Sequence, residues 1–309
     1  IIFKGKVMET FKKTALCVLV SASLVACGGS DDDSDKVSAT PASLTTTSDI
    51  AKAAAGIQAA KTIADVVINN SVDTIEEVIT EGKAEKDISC GTSPSAGKFK
   101  VTANTSTAYT KDGTGVSSMC LESGEKFDGT LSYQCNDAKC DNASLVATNL
   151  VWGDTSKAVD LKVNGSSTWS VTSMPQDDFR GSASITKSGV STTFSSYDRL
   201  VTQYFAKNQI VGYGGLTVSG GSATNCVDGA YAYSVKSSLI MNSGTQRISG
   251  GVIRISSGGN SEGPESGTVT FNSDGSVKVK LPSGMEATVS KAEFESYCGL
   301  KEAYDFSEK

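Results

Sequence analysis

Histidine is absent from this chain of 309 residues. Its absence removes the Ser-His-Asp triad, the Cys-His dyad, the HExxH zinc site and the imidazole proton switch. Proline is scarce at five residues and tryptophan scarcer at two. Charged residues are only 20% of the chain. Collagen, a coiled coil and a disordered polyelectrolyte are therefore all excluded. The apolar run at 14–22 is short of the roughly 20 residues that a membrane-spanning helix needs. What is abundant is small and polar. Serine and threonine make about a quarter of the chain, and there are 31 glycines. The apolar fraction of 38% is enough for a true core.

The N-terminal region reads as an address. The chain begins at Ile1, and Met8 reads as the initiator, with 1–7 upstream of the true start. Lys12 and Lys13 form a positive n-region ahead of the apolar run. Leu24-Val25-Ala26-Cys27-Gly28 comes next. These residues resemble the lipobox of bacterial lipoproteins, in which the leader is cut before the cysteine. The resemblance implies that 1–26 is a signal peptide. It also implies that Cys27 is the lipid attachment point and carries acyl chains, palmitate among them. Two or more chains hold a protein stably on a bilayer. Gly28 after the cysteine implies outer-membrane sorting.

Residues 27–47 read as a lipidated flexible tether, small, polar and acidic. Asp31, Asp32, Asp33 and Asp35 read as a solvated spacer rather than a metal site. Removal of the leader takes away four lysines and one glutamate, leaving 24 basic against 33 acidic side chains. That balance excludes nucleic acid as a partner and disfavours adhesion to anionic lipid. The expected membrane contact is through Cys27 alone.

Six cysteines remain in the body: Cys90, Cys120, Cys135, Cys140, Cys226 and Cys298. An even count in an exported chain predicts three disulfides. Cys135 and Cys140 are close enough to staple a hairpin end, and nearest-neighbour pairing then gives Cys90–Cys120 and Cys226–Cys298. Short Cys-x-x-Cys spacings and His partners, which zinc would want, are both missing.

The segment 48–89 reads as helical. Ile50, Ala54, Ile57, Ala60, Ala64 and Val67 recur at helical steps, and Ser48 or Asp49 can cap the start. Asn69-Asn70-Ser71 predicts a break, and Val72, Ile75, Val78 and Ile79 a second helix, so that a helical hairpin precedes the β domain. From about residue 97 the period becomes two. Thr268-Val269-Thr270-Phe271, a turn at 272–275, and a strand with Val277, Val279 and Leu281 inward predict a hairpin. Asp112-Gly113, Asp128-Gly129, Asn164-Gly165, Asp228-Gly229 and Ser243-Gly244 read as further turns. Ser290 and Glu293 form a capping box for a short C-terminal helix carrying Phe294, Tyr297 and Cys298. The expected fold is mainly β: a large antiparallel sandwich or open barrel over 90–309, stapled by disulfides. Gly214-Gly215 and Asn225-Cys226-Val227-Asp228-Gly229 give the body a style similar to uncharacterised proteobacterial secreted lipoproteins. That resemblance implies no activity.

Several patterns invite a chemical reading. Gly259-Asn260-Ser261-Glu262-Gly263 matches the nucleophile-elbow pattern, but the elbow needs a strand, a helix and a base. Ser184 and Lys187 match S-x-x-K, yet Ser184 alternates with Ser182 and Thr186 as in a strand. Two carboxylates suffice for glycoside hydrolysis, and Asp177-Asp178 beside Arg180, or Asp198 beside Arg199, are the candidates. Trp152, Trp169, Tyr197, Tyr204, Tyr213, Tyr231 and Tyr233 offer faces for sugars or for the core. Asn136, Asp137, Asp141 and Asn142 crowd a loop with oxygens, without an EF-hand pattern. No catalytic residue, metal ligand or cofactor is assigned. The leading expectation is an outer-membrane-anchored lipoprotein with a non-enzymatic binding or structural role in the cell envelope. The alternatives are a carboxylate-dependent glycan-active enzyme and a lipid or lipoprotein carrier, so the partner is an envelope protein, a glycan or a lipid.

Overall fold

The computed structural model describes residues 39–80, 85–90, 93–100, 113–114, 119–120, 125–135, 142–170, 176–206, 209–242 and 247–307. Helix α1 (Thr47–Thr80) runs for 34 residues, about 50 Å at 1.5 Å per residue. A reciprocal capping box fixes its start at Thr46, ahead of both expected caps, Ser48 and Asp49. The Asp49 N–H donates to Thr46 Oγ1 at 3.1 Å, and the Thr46 N–H donates to the Asp49 carboxylate at 3.0 Å.

The break expected at Asn69-Asn70-Ser71 does not occur, and the helical hairpin is corrected to one continuous helix. Ser71 is buried, and its hydroxyl donates to the Val67 carbonyl at 2.5 Å, one turn back. A side chain that would favour a turn in water thus finds its partner inside the helix. The propensity penalty of Asn and Ser is a few tenths of a kcal/mol, and burial outweighs it. Residues 85–89, expected at the end of the helical segment, form strand β1 (Glu85–Cys90) together with Cys90.

β1 pairs with β2 (Ser93–Lys100) as a separate hairpin. The main sheet has 13 antiparallel strands. The short strands β3 (Gly113–Thr114) and β4 (Met119–Cys120) both pair with β5 (Glu125–Cys135). A meander then runs through β6 (Asn142–Asp154), β7 (Val159–Ser170), β8 (Gln176–Lys187), β9 (Val190–Ala206) and β10 (Gln209–Ser219). It continues through β11 (Gly229–Met241), β12 (Ile248–Ser257), β13 (Glu265–Phe271), β14 (Val277–Lys280) and β15 (Glu286–Val289). The sheet is open, with β15 at one edge. The expected hairpin of β13 and β14 forms with Val269 opposite Val279 and Phe271 opposite Val277, all buried.

The sheet wraps the helix. α1 touches strands from β5 on one side to β15 on the other. It is buried nearly all round between Ile50 and Val72, so helix and sheet share one core. Curvature of this kind needs kinks. Asn164-Gly165 and Asp128-Gly129, expected as turns, both lie within strands. Gly165 and Gly181 face each other across β7 and β8 at φ of 143° and 148°. A Cβ on Gly165 would stand 2.1 Å from the Arg180 carbonyl oxygen. On the neighbouring strand, Asn149 at φ 49° is the extra residue of a bulge. Buried positions on β6 therefore switch from Ala143, Leu145 and Ala147 to Leu150 and Trp152. Without that bulge one set would face solvent. Asx-Gly pairs suit turns and kinks equally, because both demand a positive φ.

The end of the expected tether is docked rather than free. The Ala42 N–H donates to the Ala230 carbonyl at 2.9 Å and the Ala230 N–H to the Thr40 carbonyl at 2.8 Å, while Ala42 and Leu44 are buried. At the other end stand two short helices, α2 (Lys291–Glu295) and α3 (Leu300–Ser307), where one was expected. Ser290 Oγ accepts from the Glu293 N–H at 3.3 Å, as a capping box requires. The Glu293 carboxylate turns forward instead and accepts from the Tyr297 hydroxyl at 2.6 Å. Tyr297 and Cys298 fall in the turn between the two helices. Arg247 ties α2 and α3 to the start of β12: its Nε lies 2.8 Å from Glu295, and its guanidinium 4.5 Å from the Tyr304 ring centre.

A disulfide joins Cys226 to Cys298 across 72 residues. The side chains of Cys90, Cys120 and Cys135 lie outside those described, as do Cys27 and Cys140. Closing a loop of this length is worth about 4 kcal/mol in the chain-entropy account. Cys226→Ala with Cys298→Ala should lose about that much in denaturant unfolding, and an unchanged midpoint would refute it.

Gly56 sets how close helix and sheet come. A Cβ there would lie 2.1 Å from the Tyr231 hydroxyl, on a fully buried side chain. Gly56→Ala should cost about 2 kcal/mol by overpacking. Tyr231→Phe removes the clashing oxygen and should recover most of that loss in the double variant, read as a thermodynamic cycle. Additive losses would disprove the contact.

Candidate functional site

Among the described residues, those singled out for catalysis are not assembled into a site. Ser261 lies in the loop between β12 and β13, with no helix following. The Arg254 guanidinium grips that loop, donating to the Ser261 carbonyl at 3.0 Å and to the Gly263 carbonyl. Ser184 sits mid-strand in β8. Lys187, three residues on, pairs with Glu302 of α3. Asp178 lies 3.8 Å from Arg180, as a local ion pair would. The side chains of Asp177, Asp198, Arg199, Trp169, Tyr197 and Tyr204 lie outside those described, as do Asn136, Asp137 and Asp141. Trp152 is core, edge-on to Phe127 with ring centres 5.5 Å apart. Among the described residues no group of His, Cys, Asp or Glu gathers as a metal site. No described helix is long and apolar enough to cross a membrane.

A cavity of about 80 Å³ opens between α1 and the sheet. On the helix side stand Ala54, Ile57, Gln58, Lys61, Thr62, Asp65 and Val66. The facing wall comes from Ile210 on β10, Tyr233, Leu239 and Met241 on β11, Ile248 and Ile253 on β12, and Phe271 on β13. The local register is irregular on this wall. Between Ile210 and Tyr213 of β10, its partner β11 advances from Leu239 to Ser234. Two extra residues thus bulge out of β11, and its pairing with β12 slips in the same stretch. The bulge bends β11 on the wall that faces the cavity, between Tyr233 and Leu239.

Polar groups in this apolar chamber are few. Lys61 and Asp65 pair one turn apart at 2.5 Å, both partly exposed. Gln58 is only 8% exposed, and its carbonyl Oε1 is buried with no hydrogen-bond partner among the described residues. An acceptor left so costs about 1–3 kcal/mol. Sequence reading missed this site. Its signal was a polar stripe, Gln58, Lys61, Thr62 and Asp65 at helical spacing, on a helix otherwise small and apolar. Comparison of the chain with protein-family models, curated proteins and solved structures gives no match. The site must be read from its own chemistry.

Three tyrosines carry the strongest electrostatic consequences. Burial pushes the phenols of Tyr231 and Tyr304 far above their usual range, with Asp228 and Glu295 respectively adding to it. Burial and the hydrogen bond to Glu293 push Tyr297 up to about 12. The folded state therefore holds these protons where the unfolded chain, at the usual 10.0, would release them. Their contribution is complete below about pH 10 and is lost as pH rises from there, through about 12 for Tyr297 and further still for Tyr231 and Tyr304. Stability should fall over that alkaline window. Part of the phenolate absorbance should appear only together with loss of the β circular-dichroism signal. Complete phenolate formation near pH 10 with the fold intact would contradict this.

Proposed function

We propose that this chain is a lipoprotein of the bacterial outer membrane, held by acyl chains on Cys27, whose β domain has a non-enzymatic binding role in the cell envelope. The observation that carries it is Leu24-Val25-Ala26-Cys27 directly behind a short apolar run. About twelve residues separate Cys27 from the docked segment at 39–44, a reach of at most about 40 Å when extended. A disulfide at Cys226–Cys298 accords with an oxidising compartment outside the cytoplasm. Pairing of Cys90 with Cys120 and of Cys135 with Cys140 belongs to the same reading; β1 and β4, which end at Cys90 and Cys120, lie against each other.

The filled interior favours binding over transport. A carrier would need an acyl-sized chamber where α1 stands. A glycosidase would need two facing acids, whereas Asp178 is engaged with Arg180 and Asp65 with Lys61. A single sheet curled about a helix suits an open barrel better than a sandwich. The partner in this reading is an envelope protein, a glycan or a small lipid-like molecule, and not nucleic acid.

Cells fed labelled palmitate should yield labelled wild-type protein in the membrane fraction. Cys27→Ser should give an unlabelled form with its leader retained or released as soluble protein. Equal labelling of the two would end the lipoprotein reading.

A further inference from the structure

We propose that the cavity between α1 and strands β10–β13 binds a small neutral molecule, which donates a hydrogen bond to the Gln58 carbonyl and lays an apolar end against the sheet. The proposal rests on the binding role above but not on the anchor at Cys27, so the two can fail separately.

Gln58 supplies the first reason. It lies on the helix face that lines the cavity, more than nine-tenths buried, and its Oε1 has no partner among the described residues. A buried acceptor without a donor is rare in folded proteins and asks for one. Of its neighbours along the helix, Ala54 and Ile57 carry no donor, Thr62 has only a short hydroxyl, and the Lys61 ammonium is paired with Asp65 at 2.5 Å. On the facing wall β11 bulges between Tyr233 and Leu239.

Charge and size narrow the class. Lys61 and Asp65 neutralise each other. A cationic ligand would meet the lysine and an anionic one the aspartate, and neither finds an unmatched opposite charge. The remaining surface is Ile, Leu, Met, Phe and the ring of Tyr233. A volume of about 80 Å³ is roughly half that of an apolar cavity known to admit benzene. The site therefore takes a molecule, or the end of one, of roughly four to five non-hydrogen atoms bearing a hydroxyl or amide N–H. A neutral short-chain alcohol fits, and an acyl chain does not.

The isomers n-butanol and diethyl ether separate the donor from everything else, since they share formula and size and only the alcohol can donate. Each is titrated into the full chain while the methyl resonances of Ile57, Leu239 and Ile253 are followed by NMR. Butanol should move these methyls with an affinity about ten-fold above that of the ether, the usual scale for one buried hydrogen bond. Gln58→Met, of similar length and without the acceptor, should bind both and abolish the preference. Equal affinities in the wild type would overturn the proposal, as would a preference that survives in Gln58→Met. Methyl resonances unmoved by either compound would overturn it too, and would leave the cavity a place for water only. Palmitate labelling at Cys27 is unaffected by each of these results.

Discussion

A helix that carries alanine, isoleucine or valine on every side cannot rest one face on a flat sheet and leave the other in water. The burial of α1 is the constraint on which the rest of this structure depends. Between Ile50 and Val72 nearly all of its surface is taken out of solvent, by strands from β5 to β15 and by α3. Its alanines favour the helix and also keep it thin. At Gly56 the phenol of Tyr231 occupies the space a Cβ would need. A bulkier helix would force the sheet outward and lose the density on which core packing depends.

Enclosing such a helix requires the sheet to bend sharply, and the bends are local. Gly165 faces Gly181, and Asn149 adds a residue to β6. The register of β9 against β10 slips between Gly214 and Thr217. These kinks line up from strand to strand across β5 to β10. The bulge in β11 stands apart from these and flanks the cavity beside α1. Gln58 lines that cavity without a partner among the described residues. Extra residues in otherwise regular strands thus mark both the bends of the sheet and the wall of the candidate site.

The C-terminal segment closes the assembly from the side. Cys298 is bonded to Cys226, Arg247 grips Glu295 and the Tyr304 ring, and Phe294 meets Phe271 edge-on. These contacts bury Tyr297 and Tyr304, so their phenols resist ionisation. A disulfide here acts on the unfolded chain, by tethering the last strands and helices to the middle of the meander.

Periodicity and short local motifs determined the helix over the early body, the antiparallel character of the strands after it, the β13–β14 hairpin and the N-cap at Ser290. Each depends on neighbours within a few residues, and short-range spacing records such contacts. The lack of histidine likewise bounded the chemistry without any structure. Other features were decided only in three dimensions. Asn69-Asn70-Ser71 continues the helix because Ser71 is buried and bonds back to Val67. Asn164-Gly165 kinks a strand rather than turning it, because its partner across the ladder is Gly181. Gln58 became a site residue only when the fold set it against a bulged strand some 180 positions later. Turn and kink make the same demand on φ, and helix and turn compete within about a kcal/mol. Burial settles such contests, and burial is a property of the whole fold.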